Sequence, residues 1–193
     1  MVNAKTAILS FCMATLGVTG ANAENCNRES FGSWSQKNLL DTRNFVLARD
    51  ALGEIDWFEY SSGKYRVVRS TWRDALTGKI HYHQVAEQLD VDHIIPVCFA
   101  YQRGADLWDE SKRKAFYNDS RFLIVTHESV NAAKGVLAPW DFVPINRTAA
   151  CSYVTRFREG VVEYEIELSQ SEWKLLDDHL NDACVTKPAE HPS

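Results

Sequence analysis

No Cys-x-x-Cys pair occurs in the 193 residues, which removes the common zinc-ribbon and zinc-finger spacings. No internal repeat and no low-complexity tract is present, which excludes solenoid arrays and long unstructured tethers. After the N-terminal segment, no stretch approaches the roughly 20 apolar residues that a bilayer crossing needs. An excess of positive charge is missing as well: 21 Lys+Arg stand against 26 Asp+Glu, for a formal net charge of −5. A salt-resistant, non-specific grip on a polyanion is therefore not expected. The deficit is local, however. Residues 159–193 carry nine acidic and two basic side chains, so the body before them is close to neutral and can present a basic face.

What is present suits one soluble domain. The length supports a single buried core, and 45% hydrophobic residues is ordinary for a globular chain. The first residues read as a secretory signal: Lys5, an apolar run from Thr6 to Val18, then Ala21-Asn22-Ala23. The expected division is a signal at 1–23, a domain at 24–185 and a loose, proline-containing tail at 186–193. Export and lack of stable membrane association follow, and the chain is expected to be monomeric. Removing the signal also removes Cys12 and leaves Cys26, Cys98, Cys151 and Cys184. An even number of cysteines in an exported chain reads as two disulfides. Four cysteines allow three pairings, and spacing does not choose among them. The adopted expectation is Cys26–Cys98, anchoring the N-terminal segment, and Cys151–Cys184, tying down the last helix.

The pattern of elements is α+β. Residues 35–52 read as a helix ended by Gly53. Strand-like runs follow at 57–60, 65–72 and 79–83, with turns at Ser61-Ser62-Gly63 and Leu76-Thr77-Gly78. Residues 91–96 form a short strand or bend. Residues 97–103 and 109–117 look helical, with Asp109 as an N-cap. A short strand at 122–125 leads to a helix at 127–134 that Thr126 could cap and Gly135 ends. A last helix lies within 168–180, starting near Ser169 or Ser171.

Chemistry concentrates in Asp92-His93-Ile94-Ile95-Pro96 and, 38 residues after His93, in Asn131-Ala-Ala-Lys134-Gly135. Phosphodiester hydrolysis needs a base for water, and a neutral imidazole is the usual one near pH 7. It also needs charge stabilisation on the phosphate, which a hard divalent cation supplies through oxygen ligands. Asp92 offers a carboxylate, Asn131 an amide oxygen and His93 the base. Lys134, one turn after Asn131, is a candidate phosphate contact. One difficulty is geometric, because neighbours in a regular strand point to opposite faces.

These residues resemble the HNH endonuclease motif: D-H-I-I-P, a strand, then N-x-x-K-G on a helix. The segment Trp72-Arg73-Asp74-Ala75-Leu76-Thr77-Gly78 is similar to the W-x-D-P-x-T-G stretch of a branch of secreted bacterial HNH proteins related to the GmrSD-type nuclease domain, with Ala75 in place of proline. Gly104-Ala105, Trp108, Arg113, Phe116, Asn118-Asp119, Ser129, Trp140, Pro144-Ile145-Asn146 and Cys151-Ser152-Tyr153-Val154 fall in the same order. The resemblance covers roughly residues 40–180. It implies a single α+β domain around a ββα-metal (His-Me finger) motif, with His93 as base and Asp92 and Asn131 holding one divalent ion. That ion is Mg²⁺, with Mn²⁺ or Ca²⁺ as alternatives, and DNA is the expected substrate ahead of RNA. Members usually read P-x-N-L after Asn-Asp, the Asn bracing the catalytic loop. Here Phe122 takes that place, leaving Asn118 or plain packing to do the bracing. Val136 stands where many members carry an acid.

Other polar residues carry weaker expectations. Arg69 and Arg147 are candidate phosphate contacts, and His127 is a candidate accessory group one turn before Asn131. His81 and His83 share one face of the expected strand. Two rival readings remain: an inactive binding module on the same scaffold, and an antibacterial DNase toxin. A pH–rate profile rising through the imidazole range is expected. Mass spectrometry of exported protein should find Glu24 at the N-terminus, and a retained Met1 would rule out the signal.

Overall fold

The computed structural model describes residues 26–142, 144 and 146–185. The expected signal at 1–23 and tail at 186–193 lie outside the described residues. The chain folds as a mixed α and β domain. A two-residue hairpin, β1 (Gln36–Lys37) and β2 (Leu40–Asp41), precedes α1 (Thr42–Arg49). β3 (Asp56–Glu59), β4 (Tyr65–Arg73) and β5 (Ile80–Val85) form an antiparallel three-stranded sheet in the order β3-β4-β5. β6 (Leu89–His93) leads into α2 (Val97–Tyr101) and α3 (Glu110–Tyr117); β7 (Leu123–His127) then returns beside β6, and α4 (Glu128–Lys134) follows at once. α5 (Arg147–Glu163) and α6 (Gln170–Cys184) close the chain.

Three departures from the sequence reading have local causes. The helix expected at 35–52 covers only residues 42–49. Asn38 takes a left-handed turn (φ 58°) between β1 and β2, and the Asp41 carboxylate caps the helix by accepting from Asn44 N at 2.8 Å. The helix at 128–134 is capped by His127 rather than Thr126, whose hydroxyl instead donates to Asp74. No helix was expected at 147–163, yet α5 is the longest among the described residues. Its buried face, Ala150, Tyr153, Val154, Phe157 and Val161, recurs at helical spacing. Gly160 and several β-branched residues weaken the local propensity there. Other signals act as expected: Asp109 accepts from Lys112 N at 2.7 Å, and Ser169 forms a capping box with Glu172.

The β6–β7 ribbon lies between two cores. Leu89, Val91, Leu123 and Val125 face Val46, Leu47, Val67 and Trp72. Ile124 on the opposite face joins the larger core with Ile94, Ile95, Phe99, Tyr153, Phe157 and Leu176. Disulfides join Cys26 to Cys98 and Cys151 to Cys184, the pairing the sequence reading adopted. They span 72 and 33 residues, and in a chain-entropy account each adds about 4 kcal/mol.

Phe122, which stands where the resemblance calls for a bracing Asn, is held by packing. Its ring lies 6.1 Å from that of Tyr164 and faces Gly160 of α5. A Cβ at Gly160 would fall 2.7 Å from Ile95 Cδ1 and 3.2 Å from the Phe122 ring. Gly160→Ala should therefore destabilise the fold by roughly 1–3 kcal/mol through overpacking. Urea denaturation checks this, and an unchanged midpoint would show that α5 does not press on the segment after His93.

Candidate functional site

β6 pairs with β7 in regular antiparallel register, with Asp92 opposite Ile124 and His93 opposite Leu123. The irregular backbone begins only at Ile94 and Ile95. Strand alternation therefore holds through His93, and the two residues diverge as the geometric difficulty foresaw. Asp90 and Asp92 turn toward α4, while His93 turns toward the N-terminal segment and α3.

On the α4 side a strand and a helix are matched in steps of two and three residues. Asn131 Nδ2 donates to Asp90 Oδ2 at 3.0 Å. One turn further on, Lys134 Nζ lies 2.9 Å from Asp92 Oδ2 and 3.2 Å from Oδ1, and it donates to the His93 carbonyl at 2.9 Å. Only the Oδ1 contact has hydrogen-bond geometry, so Oδ2 is a buried carboxylate oxygen without a hydrogen bond. Lys134 is 0% exposed and Asp92 7%. The expected role of Lys134 as a phosphate contact is thus corrected, because its ammonium lies inside the protein and is bound to Asp92. Burial raises the Asp92 carboxyl above its usual range, and Lys134 and Arg28 counter this only in part.

On the other face His93 is 4% exposed. Trp34 stacks parallel to it with ring centres 5.5 Å apart, and the Tyr117 ring lies 4.6 Å away. His93 Nε2 lies 2.9 Å from the Tyr117 carbonyl. A carbonyl only accepts, so Nε2 carries the proton and Nδ1 keeps its lone pair. Burial pushes the imidazole down to about 3, the Tyr117 carbonyl opposing and the charges of Arg28 and Lys134 adding. His93 is then neutral throughout the physiological range, and the expected rise in rate through the imidazole range does not come from this residue.

The remaining candidates are dispersed. Asn118, expected to brace the loop after His93, holds the N-terminal segment instead: its Oδ1 accepts from Ser35 N at 2.7 Å and its Nδ2 donates to the Ser33 carbonyl at 3.2 Å. Those bonds keep Trp34 on His93. The register sets Leu89 opposite His127, so His127 lies at the far end of the ribbon from His93. There it stacks on His81 with centres 5.2 Å apart. A bulge in the β4–β5 pairing and a positive φ at His83 (46°) break the expected shared face, leaving His81 buried and His83 exposed. Burial, then the charges of His127 and Lys79, lower the His81 imidazole, with Asp74 opposing. Arg69 lies on β4 opposite Asp56 and Val85, and Arg147 is the exposed first residue of α5. Neither touches His93, Asp92 or Asn131 among the described residues.

Asp90, Trp34, Tyr117 and Arg28 were missed by the sequence reading. Arg28 is exposed, with its guanidinium carbon 5.8 Å from the centre of the Tyr117 ring. A signal for it existed. Cys26 lies two residues before Arg28, and its partner Cys98 lies five residues after His93.

No family model matches the chain, and no solved structure matches it. An uncharacterized secreted protein of Arthroderma benhamiae (strain ATCC MYA-4681 / CBS 112371) is 27% identical over 159 residues, covering 80% of this chain and 74% of the relative.

The depressed His93 pKa makes a stability prediction. An unfolded His titrates near 6.5, so between about pH 6.5 and 3 the unfolded chain binds a proton that the folded chain does not. The contribution is fully present above pH 6.5 and is lost as pH falls. His93→Gln should remove about 2 kcal/mol of the stability difference between pH 7 and pH 5. Denaturant unfolding at both pH values measures this, and equal pH dependence in the two proteins would contradict the burial of His93.

Proposed function

We propose that this protein is a secreted, metal-dependent nuclease of the HNH kind that cleaves DNA, with His93 as general base. The observation that carries the reading is the His93 tautomer. Its Nε2 proton is held by the Tyr117 carbonyl at 2.9 Å, so Nδ1 is the atom able to take a proton from water. The order strand, strand, helix, with Asp92-His93 ending β6 and Asn131 on α4, is the order a ββα-metal motif requires. The export signal read at 1–23 agrees with the secreted character of the Arthroderma relative.

The donors suit a hard divalent cation. Asp92 Oδ2 is buried without a hydrogen bond, with the Lys134 ammonium 2.9 Å away, and Asn131 turns its amide nitrogen to Asp90, leaving Oδ1 as an acceptor; both donors lie on the α4 side of β6, opposite the face that His93 takes. A carboxylate and an amide oxygen are ligands of the Mg²⁺, Mn²⁺ or Ca²⁺ class. Bound there, such an ion stabilises negative charge on a phosphate. Lys134 neutralises Asp92 from within and fixes its orientation, and Asp90 orients Asn131. A second reading, a catalytically silent binding module, is favoured by the 4% exposure of His93 beneath Trp34.

Cleavage of plasmid, single-stranded DNA and RNA should be assayed with each of the three ions and with EDTA. The expected result is metal-dependent nicking that EDTA abolishes and that His93→Gln lowers by about 10²–10⁴-fold. Retention of DNA in a gel shift without cleavage under any ion would select the silent module. Equal cleavage by His93→Gln and the unaltered protein would remove His93 as base.

A further inference from the structure

We infer that Arg28 is the residue that grips a substrate phosphate beside His93, held in place by the Cys26–Cys98 disulfide; this rests on the nuclease reading above.

The arginines divide into two groups. Arg43, Arg49, Arg66, Arg73, Arg103, Arg113, Arg121, Arg156 and Arg158 each bind a carboxylate or a backbone carbonyl. Among the described residues Arg28, Arg69 and Arg147 bind neither. Of these three, only Arg28 stands at the His93 end of β6. Its guanidinium lies over the Tyr117 ring at 5.8 Å, and the same ring is 4.6 Å from His93 and 4.7 Å from Trp34. Arg28 is thus one aromatic ring away from the imidazole. Its charge acts on Asp92 and on His93, as does that of Lys134, but Lys134 is sealed from solvent. Among the described residues, Arg28 is the solvent-facing arginine at this end of the ribbon that binds no carboxylate or backbone carbonyl, unlike Arg49 and Arg121.

The backbone that carries Arg28 is fixed from several sides. The disulfide ties Cys26 to the start of α2. Asn27 caps the short 3-10 turn Arg28–Phe31 through Ser30 N. Phe31 is buried against Phe116, with ring centres 5.9 Å apart, and Arg113 Nε donates to the Ser30 carbonyl at 3.1 Å. A rigid base and an unpaired planar fork suit a phosphate, which a guanidinium can engage through two parallel N–H groups. Stacking on Tyr117 orients the fork without consuming its donors.

The test separates charge from structure. Binding of fluorescein-labelled 16-nucleotide single- and double-stranded DNA is followed by anisotropy in EDTA, from 50 to 200 mM NaCl, and cleavage is measured separately with Mg²⁺. Arg28→Ala should weaken binding about 10-fold and reduce the slope of log K against log salt by about 1. Arg28→Lys should keep the slope while losing part of the affinity. Lys174→Ala, which removes an exposed charge from α6, should change neither. Arg28→Ala binding with unchanged affinity and slope would overturn the assignment, while cleavage by the unaltered protein would leave the nuclease reading standing. If the unaltered protein neither binds nor cleaves DNA, both fall together.

Discussion

A fully buried ammonium organises the centre of this protein. Lys134 neutralises Asp92 and donates to the His93 carbonyl, so one cation fastens α4 to β6 and also holds the point where the chain leaves the strand. α4 has seven residues, too few to persist as an isolated helix. Its stability comes from this bond, from Asn131 on Asp90, and from Gly135, whose N–H donates to the Asn131 carbonyl and whose positive φ (51°) turns the chain out of the helix. Removing either partner of such a pair leaves a buried charge uncompensated, typically at a cost of about 3–5 kcal/mol.

Asp74 shows the contrasting use of a buried carboxylate. Its Oδ1 accepts from Leu76 N and Thr77 N, and its Oδ2 from Thr126 Oγ1 and His127 N. Burial acts to raise its pKa, yet those donors outweigh it and hold the group below the usual range. Asp92 lacks backbone donors, and there burial wins. Asp74 is a structural anion that locks the β4–β5 turn to the start of α4. Gly78 completes that corner, since a Cβ there would fall 2.9 Å from Asn146 Nδ2. The Trp72-to-Gly78 motif is therefore a brace for the ribbon: Trp72 is buried with its indole N–H on the Leu47 carbonyl at 2.7 Å, and Asp74 sets the position of His127.

The face of His93 is assembled from distant parts of the chain. Trp34 comes from the N-terminal segment and Tyr117 from the end of α3, and the Asn118–Ser35 bond that aligns them spans 83 residues. The Cys26–Cys98 crosslink reduces the entropic cost of that closure. The same assembly keeps the imidazole neutral, because burial and two nearby cations disfavour its protonated form. A residue that reads as a pH-responsive base in isolation is thereby fixed in one protonation state.

The sequence alone determined the local features. Side-chain caps at Asp109 and Ser169, the short apolar run of β7, the Gly135 stop and the pattern of Asp92, His93 and Asn131 are all written in short-range chemistry. The four mature cysteines pointed to two disulfides, but which pairs form, and hence that the N-terminal segment sits beside His93, came from the fold. Partner choice was decided by tertiary structure. Nothing near Lys134 in the sequence reveals that it binds Asp92 inside the protein, that Asn131 turns to Asp90, or that His127 stacks on His81. The β5 bulge that separates His81 from His83, and the Phe122–Gly160 contact that replaces a bracing amide, likewise depend on neighbours remote in sequence. A propensity or a cap acts over one helical turn, whereas the accessibility of Lys134 and the charge states of Asp92 and His93 are set by what packs around them.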